Sequence, residues 1–353
     1  MITWKRKRTH SSAARGLCLI ILLLALVTPE ADAASPRDKA EPGFQSDIKV
    51  MAGVIHLTKP VNAVSDENKL ITSLDTSSSS ETEFIPIIIW NLNYTFDNRK
   101  TALFAGTPNS NIVEGTYFLE VGARHQLDNG TALSLSWIPE LPLLDDEVWK
   151  DPFLTGKERE ETDRTSQGFQ FKAESLLGSP FFLTYAFGTS DIEDEESGQA
   201  YTHETSTPLS HSDLQALKRS GDAHLIETGL RIPVSQSIIL GTTLDLLCNE
   251  AEGKAHRFNK VGGKVSVIVR HPICQAFSTL SFHQADYDGT HPVFGKKRED
   301  RSYSASLGIE APLRWGRDNL SFSMLIRVSR TDSNLDFYEG ETAMAGMGVT
   351  YRF

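Results

Sequence analysis

From about residue 44 to its last residue the chain writes one pattern repeatedly: roughly ten residues alternating apolar and polar, a short turn, a second such segment, then a long polar stretch. A period of two marks a strand with two unlike faces. The last segment is the plainest. Ala343, Ala345, Met347, Val349, Tyr351 and Phe353 fall on one face, and Thr342, Gly346, Gly348, Thr350 and Arg352 on the other, with Met344 as the exception. Ile88, Trp90, Leu92, Tyr94 and Phe96 repeat the alternation, as do Leu133, Leu135 and Trp137 after the tight turn Asp128-Asn129-Gly130.

The pattern predicts fourteen strands, near 44–57, 85–96, 100–107, 114–127, 130–139, 167–176, 180–188, 223–232, 238–249, 258–270, 275–286, 301–311, 319–330 and 341–353. Connections after the even strands are short, and those after the odd strands are mostly long and polar, notably 58–84, 140–166, 189–222 and 287–300. Short turns at one end and long loops at the other are the asymmetry of outer-membrane barrels. The longest uncharged apolar stretch after the N-terminus, Phe84 to Trp90, has seven residues and contains a proline. A membrane helix needs about 20 apolar residues. A spanning chain without such helices must be a closed barrel, in which every backbone group pairs between strands. The expected fold is therefore all-β: a transmembrane antiparallel up-and-down β-barrel, residues 44–353, with short periplasmic turns and long extracellular loops.

The N-terminus reads as a signal peptide, residues 1–33. Lys5, Arg6, Lys7, Arg8 and Arg15 precede the apolar run Gly16 to Thr28, and Ala31-Asp32-Ala33 offers a small-x-small cleavage site before Ala34. Residues 34–43 then form a short periplasmic segment, too short for a plug domain. The signal carries +3 of a total of −11, leaving −14 on the remainder. An acidic chain is a poor ligand for phosphate backbones, so no nucleic-acid partner is expected. Cys248 and Cys274 remain after export, one near the outer rim and one in a periplasmic turn. A disulfide needs Cα atoms within about 7 Å, so both are expected to be unpaired.

The polar faces carry charge. Arg124, Lys172, Arg231, Lys264, Arg270, Arg327 and Arg352, with Glu120, Glu174, Glu227, Asp245 and Glu310, are expected to line the lumen. Each would cost about 2–4 kcal/mol facing lipid at the midplane. A lining of mixed charge either bridges a filled interior or coats a water channel. Fourteen strands enclose more space than the eight whose interior side chains fill. Any constriction is then left to lumen side chains or folded-in loops.

Several other features read as solvated loop: Asp286-Tyr287-Asp288-Gly289, which lacks the further ligands of a calcium loop, the acidic run Glu193–Glu196, the basic Lys296-Lys297-Arg298, and His283 and His291 around one loop. Ser212–Asp222 is expected to hold a short helix. No histidine falls by strand register beside a serine and an acid or amide, so no catalytic residue, cofactor or metal site is expected.

Asn91–Asn98 (NLNYTFDN), the stretch Gly115–Thr131 with LEVGARHQLDNGT, Val148–Gly156 (VWKDPFLTG), Glu161–Asp163 (ETD), Arg219–Asp222 (RSGD), His291–Asp300 (HPVFGKKRED) and Ser333–Glu341 (SNLDFYEGE) resemble domain-of-unknown-function family 2860 of Gram-negative outer-membrane proteins. The resemblance spans nearly all of the chain after the signal and implies an outer-membrane barrel. Val349, Tyr351 and Phe353 resemble the signal read by the barrel-assembly machinery. The expected protein is a monomeric porin-like channel for small hydrophilic solutes, in contact with outer-membrane lipid and lipopolysaccharide. The alternatives are a closed barrel serving surface interaction or envelope integrity and, third, an outer-membrane enzyme.

Overall fold

The computed structural model describes residues 41–75, 79–107, 118–139, 146–201, 208–313 and 319–353; the signal segment and residues 114–117 of the fourth expected strand lie outside them. The strands are β1 (Gly43–Lys59), β2 (Ser79–Thr95), β3 (Thr101–Gly106), β4 (Glu120–Gln126), β5 (Ala132–Ile138), β6 (Asp146–Trp149), β7 (Glu161–Glu174), β8 (Phe181–Ile192), β9 (Gly221–Pro233), β10 (Ile238–Ala251), β11 (Phe258–His271), β12 (Cys274–His291), β13 (Lys296–Pro312), β14 (Leu320–Ser333) and β15 (Gly340–Arg352).

Fourteen of these form a closed antiparallel ring. Each sequential neighbour pairs, β5 skips the short β6 to pair β7 (Ala132↔Glu174 to Ile138↔Gly168), and β1 closes on β15 (Asp47↔Arg352 to Thr58↔Glu341). Closure leaves no edge through the wall, the condition for crossing a bilayer with strands. Among the described residues no helix is long and apolar enough to cross a membrane. The hairpin at Asp128–Gly130 turns because Gly130 takes φ 89° and Asn129 Oδ1 accepts from the Thr131 amide at 3.0 Å.

Alternation sorts the side chains. On β1, Ile48, Val50, Ala52 and Val54 point outward and stay exposed, while Lys49, Met51 and Gly53 point inward. The outward belt continues through Leu92, Leu135, Phe169, Leu244, Leu280 and Val328. Aromatic pairs edge it: Phe44–Tyr94 at 5.0 Å and Tyr351–Phe353 at 5.8 Å toward the short turns, Phe282–Tyr303 at 5.2 Å toward the long loops. An apolar band between aromatic girdles is the lipid-facing surface of a membrane barrel. Leu244 is 69% exposed on it. Leu244→Arg is expected to lose about 2–4 kcal/mol of folding free energy in urea titrations in lipid vesicles. Thr243→Arg, one residue away on the lumen face, should lose far less.

The long-loop end departs from expectation. Strands run past the belt: β12 and β13 continue to a turn at residues 292–295, so 287–300 is mostly paired strand. Asp286–Gly289 is not a turn but the site of a register shift between Asp286 and Thr290. These extensions alternate polar with polar, which hides their period. Residues 140–166 contain β6 and the start of β7, and the short helix occupies His211–Ala216, started by a Ser210–Asp213 capping box. Cys248 and Cys274 are both unpaired.

Candidate functional site

The inward face begins with the register. One row of directly opposed residues runs Arg124, Ser134, Lys172, Thr184, Glu227, Asp245, Gly262, His283, Ser302 and Thr331 from β4 to β14. A second runs Arg231, Gly241, Ser266, Thr279, Ser306 and Arg327, and a third Arg270, Gln275, Glu310, Ser323 and Gly348. Glu120, Glu174, Lys264 and Arg352 share the parity of these rows. The structure thus brings all twelve charged residues singled out by sequence to one face. It adds Asp47 and Lys49, on a strand whose second face the sequence reading left unassigned, and His283, read from sequence as solvated loop, which stands in the β12 wall opposite Ser302.

Charges pair along the wall, between nearby strands. Glu174 accepts from Arg231 Nη1 at 2.6 Å and faces Arg124 Nη2 at 3.7 Å. Glu120 lies 3.8 Å from Lys172 and accepts from Ser136 Oγ. Lys264 meets Glu227 at 2.7 Å, and His283 Nε2 meets Asp245 at 3.1 Å. Glu310 holds Arg352 and, at 3.6 Å, Lys49. Near the short turns the arginines stay wet: the side chains of Arg124, Arg231 and Arg352 are 53%, 60% and 52% exposed. One sector of the lumen is apolar instead. Met51, Ile87, Ile89 and Leu325 pack together with Ile85, Phe277 and Met344. Gly53 makes room there, since a Cβ on it would stand 3.1 Å from Ile87 Cδ1.

The opposite end is closed over by the loops. Six connections supply one hydrophobic core: Val61 and Ile71 from β1–β2, Phe153 from β6–β7, Leu209 and Leu217 from β8–β9, Ala255 from β10–β11, Val293 from β12–β13, and Leu335, Phe337 and Tyr338 from β14–β15. Phe153 stacks on Phe337 at 5.6 Å and meets the rings of His291 at 5.1 Å and Phe294 at 6.2 Å. The β5–β7 and β12–β13 connections are rooted four strands apart one way round the ring and six the other. Loops rooted on opposite sides therefore touch, and the core bridges the mouth.

Polar side chains stitch the cap. Arg159 is 2% exposed and lies 4.6 Å over the Trp149 ring. It donates to the carbonyls of Val61, Asn68 and Pro152. Burial draws its guanidinium down to about 10, so it stays charged at neutral pH. Asp151 accepts from the amides of Phe153, Gly198 and Ala200. Arg219 donates to Glu195 at 2.8 Å and to the Trp149 carbonyl at 2.7 Å. Arg298 is sandwiched between Tyr287 and Tyr338, 4.5 and 3.6 Å from their centroids, and donates to Asp300. Glu195, His291 and Arg298 are thus cap residues, where the sequence read solvated loop. Five of the sequence blocks quoted above for the resemblance, at 148–156, 161–163, 219–222, 291–300 and 333–341, lie in or against this cap. They were the available signal, and strand periodicity could not interpret them.

The molecule is a transmembrane β-barrel with a charged lumen, wet toward the short turns and bridged at the other mouth. The chain belongs to the family described as Protein of unknown function (DUF2860), whose model matches residues 43–352. No curated protein matches it. Among solved structures it is similar to the outer membrane channel DcaP of Acinetobacter baumannii (TM-score 0.43, 9% identity, 89% of this chain and 99% of that one). It is also similar to an anion-selective porin from Comamonas acidovorans (0.41, 7%, 89% and 100%) and to in-vitro folded OmpT, an outer membrane protein of Vibrio cholerae (0.40, 8%, 92% and 100%).

Proposed function

We propose that the protein is a monomeric outer-membrane channel for small hydrophilic solutes, closed at its outer mouth by the loop cap. Residues 1–33 would direct export, and the assembly machinery would insert the barrel with its short turns in the periplasm. The cap then faces outward, among lipopolysaccharide. The observation that carries this reading is the contrast between the two ends. Arginines more than half exposed ring the short-turn mouth, while Trp149, Phe153 and His291 are at most 1% exposed at the other. A lumen wet at one end and sealed by removable loops at the other is how a closed channel is built. A fourteen-strand wall is also wider than one filled by its own side chains. No catalytic chemistry is assigned to it.

Single-channel recording in a planar lipid bilayer tests this. The wild-type protein is expected to be mostly silent at neutral pH, and a variant with its cap disrupted to show discrete steps. In that open variant Glu174→Gln, which removes the carboxylate shared by Arg124 and Arg231, should move the reversal potential toward anion selectivity in a salt gradient. The second reading, a closed barrel acting through its surface, is favoured by the cap's packing as one unit. It gains if the disrupted variant keeps its heat-modifiable fold and conducts nothing.

A further inference from the structure

Two histidines are packed into the bridge across the mouth. The His291 ring is fully buried against Phe153 and Phe294. Its Nδ1 accepts from the Val293 amide at 3.3 Å, so its proton sits on Nε2, 3.0 Å from the Tyr338 hydroxyl. Both nitrogens are satisfied in the neutral ring. A second proton would go to Nδ1, break the bond from Val293, and leave a cation among phenylalanines. His256, from the β10–β11 loop, lies edge-on to His291 at 5.7 Å, and its buried Nε2 has no hydrogen-bond partner. A buried charge without a partner is not tolerated; either the proton leaves or the group does.

The charged groups around the pair offer no relief. Arg298 faces both histidines and Arg219 faces His256. Their carboxylates, Asp300 and Glu195, are already engaged by those arginines. Tyr338 and Tyr287 flank Arg298, and burial pushes the Tyr338 hydroxyl up to about 12, so it supplies no anion.

We infer that the cap is an acid-operated gate: protonation of His291 and His256 separates the β6–β7 loop from the β12–β13 and β14–β15 loops and opens the outer mouth. The inference rests on the channel reading. Burial holds His291 down to about 3 in the closed cap and holds His256 well below its ordinary value. Both return to about 6.5 once wet. The closed state binds fewer protons than the open one, so closure is fully favoured above pH 6.5 and is lost progressively as pH falls toward the closed-state values. Each histidine contributes about a tenfold shift per pH unit, so two together contribute about a hundredfold. Carboxylates with ordinary values stay ionised down to about pH 5, so above that pH the acid response does not come from them, and the double variant separates the cap histidines from the others.

The test is single-channel recording from pH 7.5 to pH 5.0 on three proteins: wild type, His256→Phe with His291→Phe, and Phe153→Asp. The open probability of wild type should rise steeply below about pH 6.5, the double variant should stay shut, and Phe153→Asp should conduct at every pH. If the phenylalanine pair abolishes the heat-modifiable fold, glutamine at both positions replaces it. A wild type indifferent to pH, beside a conducting Phe153→Asp, overturns the gate and leaves the channel standing. So does an acid response that persists in the double variant. Silence from a folded Phe153→Asp overturns the channel reading itself.

Discussion

Phe153→Asp is expected to turn a mostly silent barrel into one that passes current in discrete steps at neutral pH. Phe153 is 1% exposed and touches three rings on the far side of the mouth, His291 at the tip of β12, Phe294 in the β12–β13 turn and Phe337 in the β14–β15 connection. Losing a buried phenylalanine costs about 3–5 kcal/mol. Placing an unpaired carboxylate in the same space adds several more. The wall is held by its own interstrand hydrogen bonds, and Phe153 takes no part in them. The loss therefore falls on the cap, and heat-modifiability on gels should be retained. Phe153→Leu, which keeps most of the apolar volume, should conduct far less than the aspartate variant.

Arg159→Met is expected to free the β1–β2 loop from the cap. The arginine's fork reaches three carbonyls, Val61 and Asn68 on that loop and Pro152 on its own. Its plane also lies over Trp149, whose Nε1 donates to the Ala63 carbonyl at 3.1 Å. Methionine fills similar space but donates nothing, and each buried carbonyl left without a partner costs about 1–3 kcal/mol. Rapid hydrogen exchange and protease cleavage between residues 61 and 75, with strand amides still protected, would be the readout. Arg159→Lys should rescue poorly, because an ammonium cannot reproduce the planar fork. An exchange pattern unchanged from wild type would remove Arg159 from this role.

The barrel was legible in the sequence because a lipid-facing wall imposes a strict period of two. Val349, Tyr351 and Phe353 alternate with Thr350 and Arg352 since one set meets lipid and the other the lumen. The same constraint sent Lys172, Glu227 and Asp245, on three different strands, to one register row. Periodicity failed where lipid no longer contrasts the faces. Beyond the belt, β12 carries Gln284 and Asp286 on its outer face, and its extension to His291 looked like loop. The cap was illegible for a further reason. Phe153, His291 and Phe337 come from two loops and the tip of β12 with no repeat, and their meeting is set by where the ring plants each of them. Arg298, read beside two lysines as a solvated charge, is buried only because Tyr287 from β12 and Tyr338 from the β14–β15 connection close on it. Ile85, Ile87 and Ile89 are the converse case, an inward apolar face that composition could not distinguish from the lipid-facing Ile88 and Trp90 beside it.

In the proposed channel the lumen opens toward the short turns and is shut at the cap. Ser304 faces inward at mid-wall, hydrogen-bonded to Ser281 at 2.7 Å. Ser304→Cys, with Cys248 and Cys274 replaced by serine, gives that position a single thiol. The measurement is its reaction with a charged, membrane-impermeant methanethiosulfonate at neutral pH, added to intact cells and to cells with a permeabilised outer membrane. Labelling should be slow from outside and fast once the periplasmic side is reached, with Phe153→Asp making both fast. Equal rates from the two sides in the uncapped and capped proteins alike would contradict that arrangement.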